Sequence, residues 1–327
     1  MNGLPGQLDL DSAEPLLRKL ELKVRNRLDG LLQGNYVGLV PGPGSEAGES
    51  RQYVAGDDVR RMDWPVTART TIPHVRQTIA DRELETWLVV DVSASMDFGT
   101  ARSEKRELAL AAITAIAHLT VRGGNRIGAV VGDGRNLYRI PAMPGRQHAR
   151  HLVRRIATAP RAEAADGGAP GLALAGMLES LRRPQRRRGL VAVVSDYLEP
   201  GRRPADAADE PDWVRPLRAL AGRHQLLGVE IVDPRELELP AAGLVTFADP
   251  ETGRQLEVQT SSSDVRQRYA QAAAAQRGQI ATALRRAGAA HLQLRTDRDW
   301  VTDVVRFVIA QRQFTLSGVG AVGTGVR

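Results

Sequence analysis

No cysteine occurs among the 327 residues. Its absence excludes a disulfide scaffold, a thiolate zinc site, an iron–sulfur cluster and a cysteine nucleophile. Long apolar runs are missing too. The longest helical candidate, 108–119, stops short of the ~18 residues that a membrane span needs and carries His118. The opening residues MNGLPGQLDLDS have neither a basic start nor an apolar stretch, so no secretory signal is read there and a cytoplasmic protein is expected. A phosphate loop would need Gly-Lys-Ser/Thr after the glycines of Val40-Pro41-Gly42-Pro43-Gly44, and none follows. Neither His-Glu-x-x-His nor Gly-x-Ser-x-Gly occurs, which removes the simplest zinc-protease and serine-hydrolase readings.

What is present is ordinary globular material: 42% apolar and 25% charged residues, enough to bury a sizeable core. The net charge is +7, and among 45 basic residues only Lys19, Lys23 and Lys105 are lysines. Arginine suits bidentate carboxylate and phosphate contacts, but a uniform preference also follows from codon usage. Nucleic-acid binding needs the charge gathered on one face. The densest run, 182–188, has no aromatic residue within it and reads as a solvated connection.

Residues 12–33 read as a helix with Ser12 as N-cap and Gly34 as its stop. From Trp87 the texture changes. Trp87-Leu88-Val89-Val90 and Leu190-Val191-Ala192-Val193-Val194 are continuous apolar runs of the kind buried on both faces of a parallel sheet. Helices are expected over 104–121, 146–157, 172–181, 213–221, 264–287 and 300–313. Strands are expected over 127–131, 137–140, 226–232 and 291–294, with a small hairpin from 245–247 and 255–258. The alternation implies an α/β fold with a doubly wound, mostly parallel sheet. Ligands gather beyond the carboxyl ends of such strands. Asp91 and Asp196 each end an apolar run.

Asp91-Val92-Ser93-Ala94-Ser95 sets one carboxylate and two hydroxyls at alternate positions. In a tight loop above a sheet, those oxygens converge on one point and suit Mg²⁺ or Mn²⁺. Asp196 could complete the shell directly or through water. On the other reading, Ser93 and Ser95 satisfy backbone groups at a helix start, and the two aspartates cap turns. A haloacid-dehalogenase-type phosphatase also places Asp after an apolar strand, but its acid/base Asp would stand at position 93, which is serine here.

The arrangement resembles the metal-ion-dependent adhesion site of von Willebrand factor A domains, Asp-x-Ser-x-Ser. Residues 51–64, RQYVAGDDVRRMDW, resemble the hallmark of the bacterial family called domain of unknown function 58. Thr67-Ala68-Arg69, Glu83-Leu84-Glu85, Ser95-Met96 with Phe98-Gly99, Val194-Ser195-Asp196, the 249–253 segment and Thr296-Asp297-Arg298-Asp299-Trp300 follow the order of that family, over about residues 16–314. The resemblance implies a von Willebrand A-like domain at 85–314, an N-terminal extension at 1–84 packing on it, and a flexible tail at 315–327. It implies a non-enzymatic protein-interaction module working with an AAA+ ATPase of MoxR type in chaperone-like maturation or stress response. No catalytic activity comes with it.

Two departures stand out. The adhesion site normally adds a threonine from a second loop, and Gly171-Leu172-Ala173 replaces the usual Gly-Thr-Asp here. Losing a neutral ligand costs about 1–3 kcal/mol, roughly one to two powers of ten in affinity, so any Mg²⁺ or Mn²⁺ is expected to bind weakly. Ala47 also stands where the family has an aromatic. Elsewhere, Gly56, Asp57, Asp58, Arg60, Asp63 and Trp64 form a partner or structural motif: a second cation or partner contact, or a turn whose carboxylates pair with arginines. Trp64 and Tyr53 are expected to anchor packing. His148 and His151 stand three apart on a helix beside Arg150 and Arg154, which disfavour a cation. The competing function is a metal-assisted phosphoester hydrolase using Asp91 and Asp196, without a recognisable general base.

Overall fold

The structure is a computed structural model. It describes residues 10–24, 50–54, 59, 62–76, 84–122, 124–160, 174–182, 189–199, 210–248 and 255–319. By its contacts the chain divides into two units, residues 41–83 and the remainder.

In chain order the first element is helix α1 (Leu10–Lys23) of the larger unit. Its Leu17 and Leu20, with Val24 just beyond, are buried in the main core. The smaller unit follows, with β1 (Ser50–Gln52), α2 (Trp64–Thr70) and β2 (His74–Arg76). Strands β1 and β2 pair antiparallel, and Met62 adds a bridge to Val75. Asp63 caps α2: its side chain accepts from Val66 N at 3.3 Å, and its own amide donates to His74 O at 2.7 Å. The hydroxyl of Thr67 accepts from His74 N at 2.9 Å, locking the helix to the strand. These short elements carry little apolar periodicity, so pattern reading finds no strands or helix there.

The larger unit continues with β3 (Glu85–Asp91), a 3₁₀ turn (Ala94–Met96), α3 (Lys105–Arg122), β4 (Arg126–Gly132), β5 (Leu137–Met143), α4 (Arg146–Ala157), α5 (Leu174–Arg182) and β6 (Gly189–Ser195). Then come α6 (Val214–Ala221), β7 (His224–Val232), a 3₁₀ turn (Pro234–Glu236), the hairpin β8 (Leu244–Ala248) and β9 (Gln255–Gln259), α7 (Ser263–Arg286), β10 (Ala289–Arg295) and α8 (Trp300–Val319). The central sheet has the order β10-β7-β6-β3-β4-β5. All neighbours are parallel except β5, which turns back antiparallel on β4 through Gly134 at φ 87°. The expected α/β class with a mostly parallel sheet is what the chain adopts.

The continuous apolar runs are explained by two-sided burial. Along β3, Leu88 and Val90 enter a core with α1, α3, α4 and α8, while Trp87 and Val89 enter a second core with α5, α6 and α7. The same alternation sends Ala192 and Val194 of β6 one way and Val191 and Val193 the other. At ~25 cal/mol per Å² of apolar surface, these two layers dominate the favourable side of folding. Residues 315–319, expected in the tail, are helical, because α8 continues to Val319, and 320–327 lie outside the described residues. The second loop of the adhesion-site resemblance, 166–173, lies outside the described residues, as do Ala47, Gly56, Asp57, Asp58 and Arg60.

Two glycines test the packing. A Cβ on Gly189 would stand 1.8 Å from the Glu85 carbonyl oxygen, where β6 meets β3. Gly189→Ala should therefore lower stability by at least about 2 kcal/mol in denaturant titrations. A Cβ on Gly278, inside α7, would meet nothing within 4 Å. Gly278→Ala should raise stability by about 0.5–1 kcal/mol.

Candidate functional site

Register aligns the carboxyl ends of the central strands, and there β3 delivers Asp91 and β6 delivers Ser195 and Asp196. Beyond β3 the chain turns into the first 3₁₀ turn, with Ser93 extended at φ −64°, ψ 171° just before it. Asp91 Oδ1 accepts from Ser93 N at 3.0 Å. Asp91 Oδ2 accepts from the Ser195 hydroxyl at 2.7 Å. The Ser93 and Ser95 hydroxyl oxygens stand 3.2 Å apart. Asp91 and Ser95 are half-buried and Ser93 is buried, so the group keeps partial access to the surface at the strand ends. The oxygens of positions 91, 93 and 95 thus sit together, with Asp196 next to them.

The two carboxylates differ sharply. Burial is the main force that pushes the Asp91 pKa from 3.8 up to about 6, and the charge of Asp196 adds to it. Hydrogen bonds from Ser93 and Ser195 oppose that rise. Among the described residues no cation pairs with Asp91. Asp196 is fully buried, which alone would raise its pKa, but Lys105 outweighs burial and holds it below the ordinary value. Lys105 Nζ donates to Asp196 Oδ2 at 2.8 Å and to Glu236 Oε1 at 2.5 Å. Asp196 Oδ1 accepts from Leu198 N at 3.0 Å.

Lys105 is placed against two electrostatic preferences. It is 0% exposed, and it opens α3, where the helix dipole disfavours a cation. Burial acts to lower its pKa, but Asp196 and Glu236 more than offset that and raise it. The ion pairs continue outward. Arg277 of α7 donates to the Asp196 carbonyl at 3.1 Å, to Glu230 at 3.1 Å and to Glu236 at 2.9 Å. Glu230, fully buried in β7, also holds His291 at 2.8 Å and accepts from Gln293 at 3.0 Å. Asp233, at the end of β7, accepts from Thr100 N and Oγ1, Arg235 N and Thr296 Oγ1, which ties the loop after β3 to the ends of β7 and β10. Tyr197, at φ 59°, is held in the left-handed region by three contacts. Its amide donates to Ser195 Oγ at 3.0 Å, its hydroxyl donates to Val193 O at 3.0 Å, and its ring packs edge-on against Trp213.

Sequence reasoning did not single out Lys105, Ser195, Glu230, Glu236 or Arg277. One signal was available for Lys105: it is one of three lysines in an arginine-rich chain, and it opens an apolar helix. Asp63 is a helix cap, and Trp64, expected as a packing anchor, is 65% exposed, because that cap sets Trp64 in the first turn of α2. His148 Nε2 lies 3.0 Å from the Ile127 carbonyl, a packing contact. Among the described residues no group of three His, Cys, Asp or Glu could hold a metal ion.

The donor set still fits a hard cation. It offers one carboxylate that no cation pairs with among the described residues and two neighbouring hydroxyls, oxygens of the hard type that Mg²⁺ takes alongside retained waters. Asp91, Ser93 and Ser95 are the residues that would hold it.

The Asp91 pKa gives a signed expectation for chelator-treated protein. A carboxylate whose folded pKa, about 6, exceeds its ordinary 3.8 is penalised in the native state above about pH 6. The penalty shrinks as pH falls and is gone below the ordinary value. Asp91→Asn should therefore raise thermal stability relative to wild type at about pH 8, by roughly 1–3 kcal/mol, with the gain vanishing near pH 4. Asp196, whose pKa is lowered, contributes stability above its ordinary value that is lost as pH falls through its folded pKa.

The chain is 52% identical over 315 residues to the uncharacterized protein Rv1480 of Mycobacterium tuberculosis, covering 96% of this chain and 95% of that protein. It is 44% identical over 180 residues to the uncharacterized protein MAV169 of Mycobacterium avium, covering 55% of this chain and 98% of that one. Similar solved structures include the conserved hypothetical protein BatB from Bacteroides thetaiotaomicron, with 16% identity, TM-score 0.39, and 70% and 99% of the two chains covered. Another is a von Willebrand factor type A protein from Catenulispora acidiphila, with 14% identity, TM-score 0.36, and 73% and 43% covered. At those scores the fold assignment rests on the strand order and register of this chain itself. Residues 49–279 match the family described as "Protein of unknown function DUF58", and the chain belongs to that family.

Proposed function

We propose that this chain is a protein-interaction module whose recess at the carboxyl ends of β3 and β6 receives an acidic group of a partner. Asp91, Ser93 and Ser95 would hold Mg²⁺ or Mn²⁺ for that purpose, weakly. When bound, such an ion supplies an open coordination position for the incoming carboxylate. The observation that carries the reading is the half-buried Asp91 carboxylate, which no cation pairs with among the described residues and which stands beside two hydroxyls 3.2 Å apart.

The chain's own residues prepare the recess. Ser93 N and Ser195 Oγ fix both oxygens of Asp91, so its orientation does not wait on a ligand. The Asp233 bonds to Thr100 and Thr296 hold the neighbouring loops. A phosphoester hydrolase is supported less well, because it would need Asp196 as a second working carboxylate, and Asp196 is ion-paired to the buried Lys105 ammonium. The family resemblance suggests an AAA+ ATPase of MoxR type as the partner, acting in maturation or stress response in the cytoplasm. No described helix is long and apolar enough to cross a membrane.

The test is a binding measurement between the purified chain and a purified MoxR-type ATPase. Asp91→Ala and EDTA should each weaken the complex at least tenfold, and Mg²⁺ or Mn²⁺ should restore the EDTA-treated wild type only. A complex indifferent to both treatments would remove the metal-bridged reading.

A further inference from the structure

We infer that Lys105 is a tethered cation that withholds Asp196 from any metal at this site, so that the built-in ammonium, together with the missing threonine, keeps divalent-ion binding weak. The inference rests on the metal-dependent reading above and deepens it by assigning the control of affinity to one side chain.

Placement carries the inference. The Lys105 ammonium sits 2.8 Å from Asp196 Oδ2, and the Leu198 amide occupies the other oxygen. A divalent ion drawing on Asp196 must displace one of these donors, or lie close to a like charge in a poorly solvated interior where repulsion is weakly screened. The cation is also of the type such a role requires. In a chain whose basic residues are otherwise almost all arginine, this position holds a compact ammonium on a flexible stem, which reaches two carboxylates from different loops.

The charges make a controlled test available. The described cluster holds the carboxylates of Asp91, Asp196, Glu230 and Glu236 against Lys105 and Arg277, with His291 beside Glu230. Lys105→Met alone leaves buried carboxylates uncompensated, and such variants often fail to fold. Lys105→Met combined with Glu236→Gln removes one charge of each sign, so the net charge of the cluster is unchanged while the hold on Asp196 is released; the charge of Arg277 then faces Glu230 and a neutral amide in place of the Glu236 carboxylate.

The experiment is Mn²⁺ titration of the full chain by calorimetry, with thermal unfolding followed in parallel. The double variant should bind Mn²⁺ at least tenfold more tightly than wild type, and adding Asp196→Asn should abolish the gain. A double variant that folds only when Mn²⁺ is supplied would report the same release. Mn²⁺ affinity equal to or weaker than wild type, or a variant that Mn²⁺ does not restore to cooperative unfolding, would overturn the inference. Asp91→Ala in the otherwise wild-type chain judges the parent reading separately. If it leaves Mn²⁺ binding intact, that reading falls whatever the double variant does.

Discussion

The structure of the strand-end region depends on one buried ammonium. Lys105 joins the first turn of α3 to the end of β6 through Asp196, and to the turn after β7 through Glu236. Three segments far apart in the chain are thereby fixed to one point. Removing a charge from water costs several kcal/mol, which only close oppositely charged partners repay. That condition is strict about geometry, so the pair does more than add stability: it requires α3, β6 and the β7 turn to arrive in one arrangement.

The asymmetry between the two aspartates follows from that arrangement. Both end strands of one sheet, and both are crowded by protein. Asp196 is supplied with a cation and its carboxyl stays easily ionised. Asp91 is supplied with hydrogen bonds only and feels the charge of its neighbour. The strand ends thus carry one ion-paired carboxylate and one held by hydrogen bonds.

The smaller unit contributes a different kind of order. With Asp63 capping α2 and Thr67 holding His74, its local structure is kept by short-range hydrogen bonds more than by a deep core. Of its described residues Val75 and Asp63 are buried, while Trp64, Val54, Val59 and Ile72 are exposed.

Much of the larger unit was legible before any coordinates. Strands buried on both faces announce themselves as unbroken Leu/Val runs, and α3, α4 and α7 show as long segments between turn signals, since both patterns are local consequences of burial. The Asp91-Ser93-Ser95 group was legible for the same reason, its members being four residues apart at most on one loop. The smaller unit was not, because three-residue strands and a seven-residue helix carry no period to read. What the amino-acid order determined by itself was which faces are apolar and which oxygens share the loop after β3. Only the tertiary structure decided that Lys105 reaches Asp196 across 91 residues of chain and that, among the described residues, no cation reaches Asp91. Pairings of that kind are set by where whole strands and helices come to rest, and no local pattern encodes the distance between two buried charges.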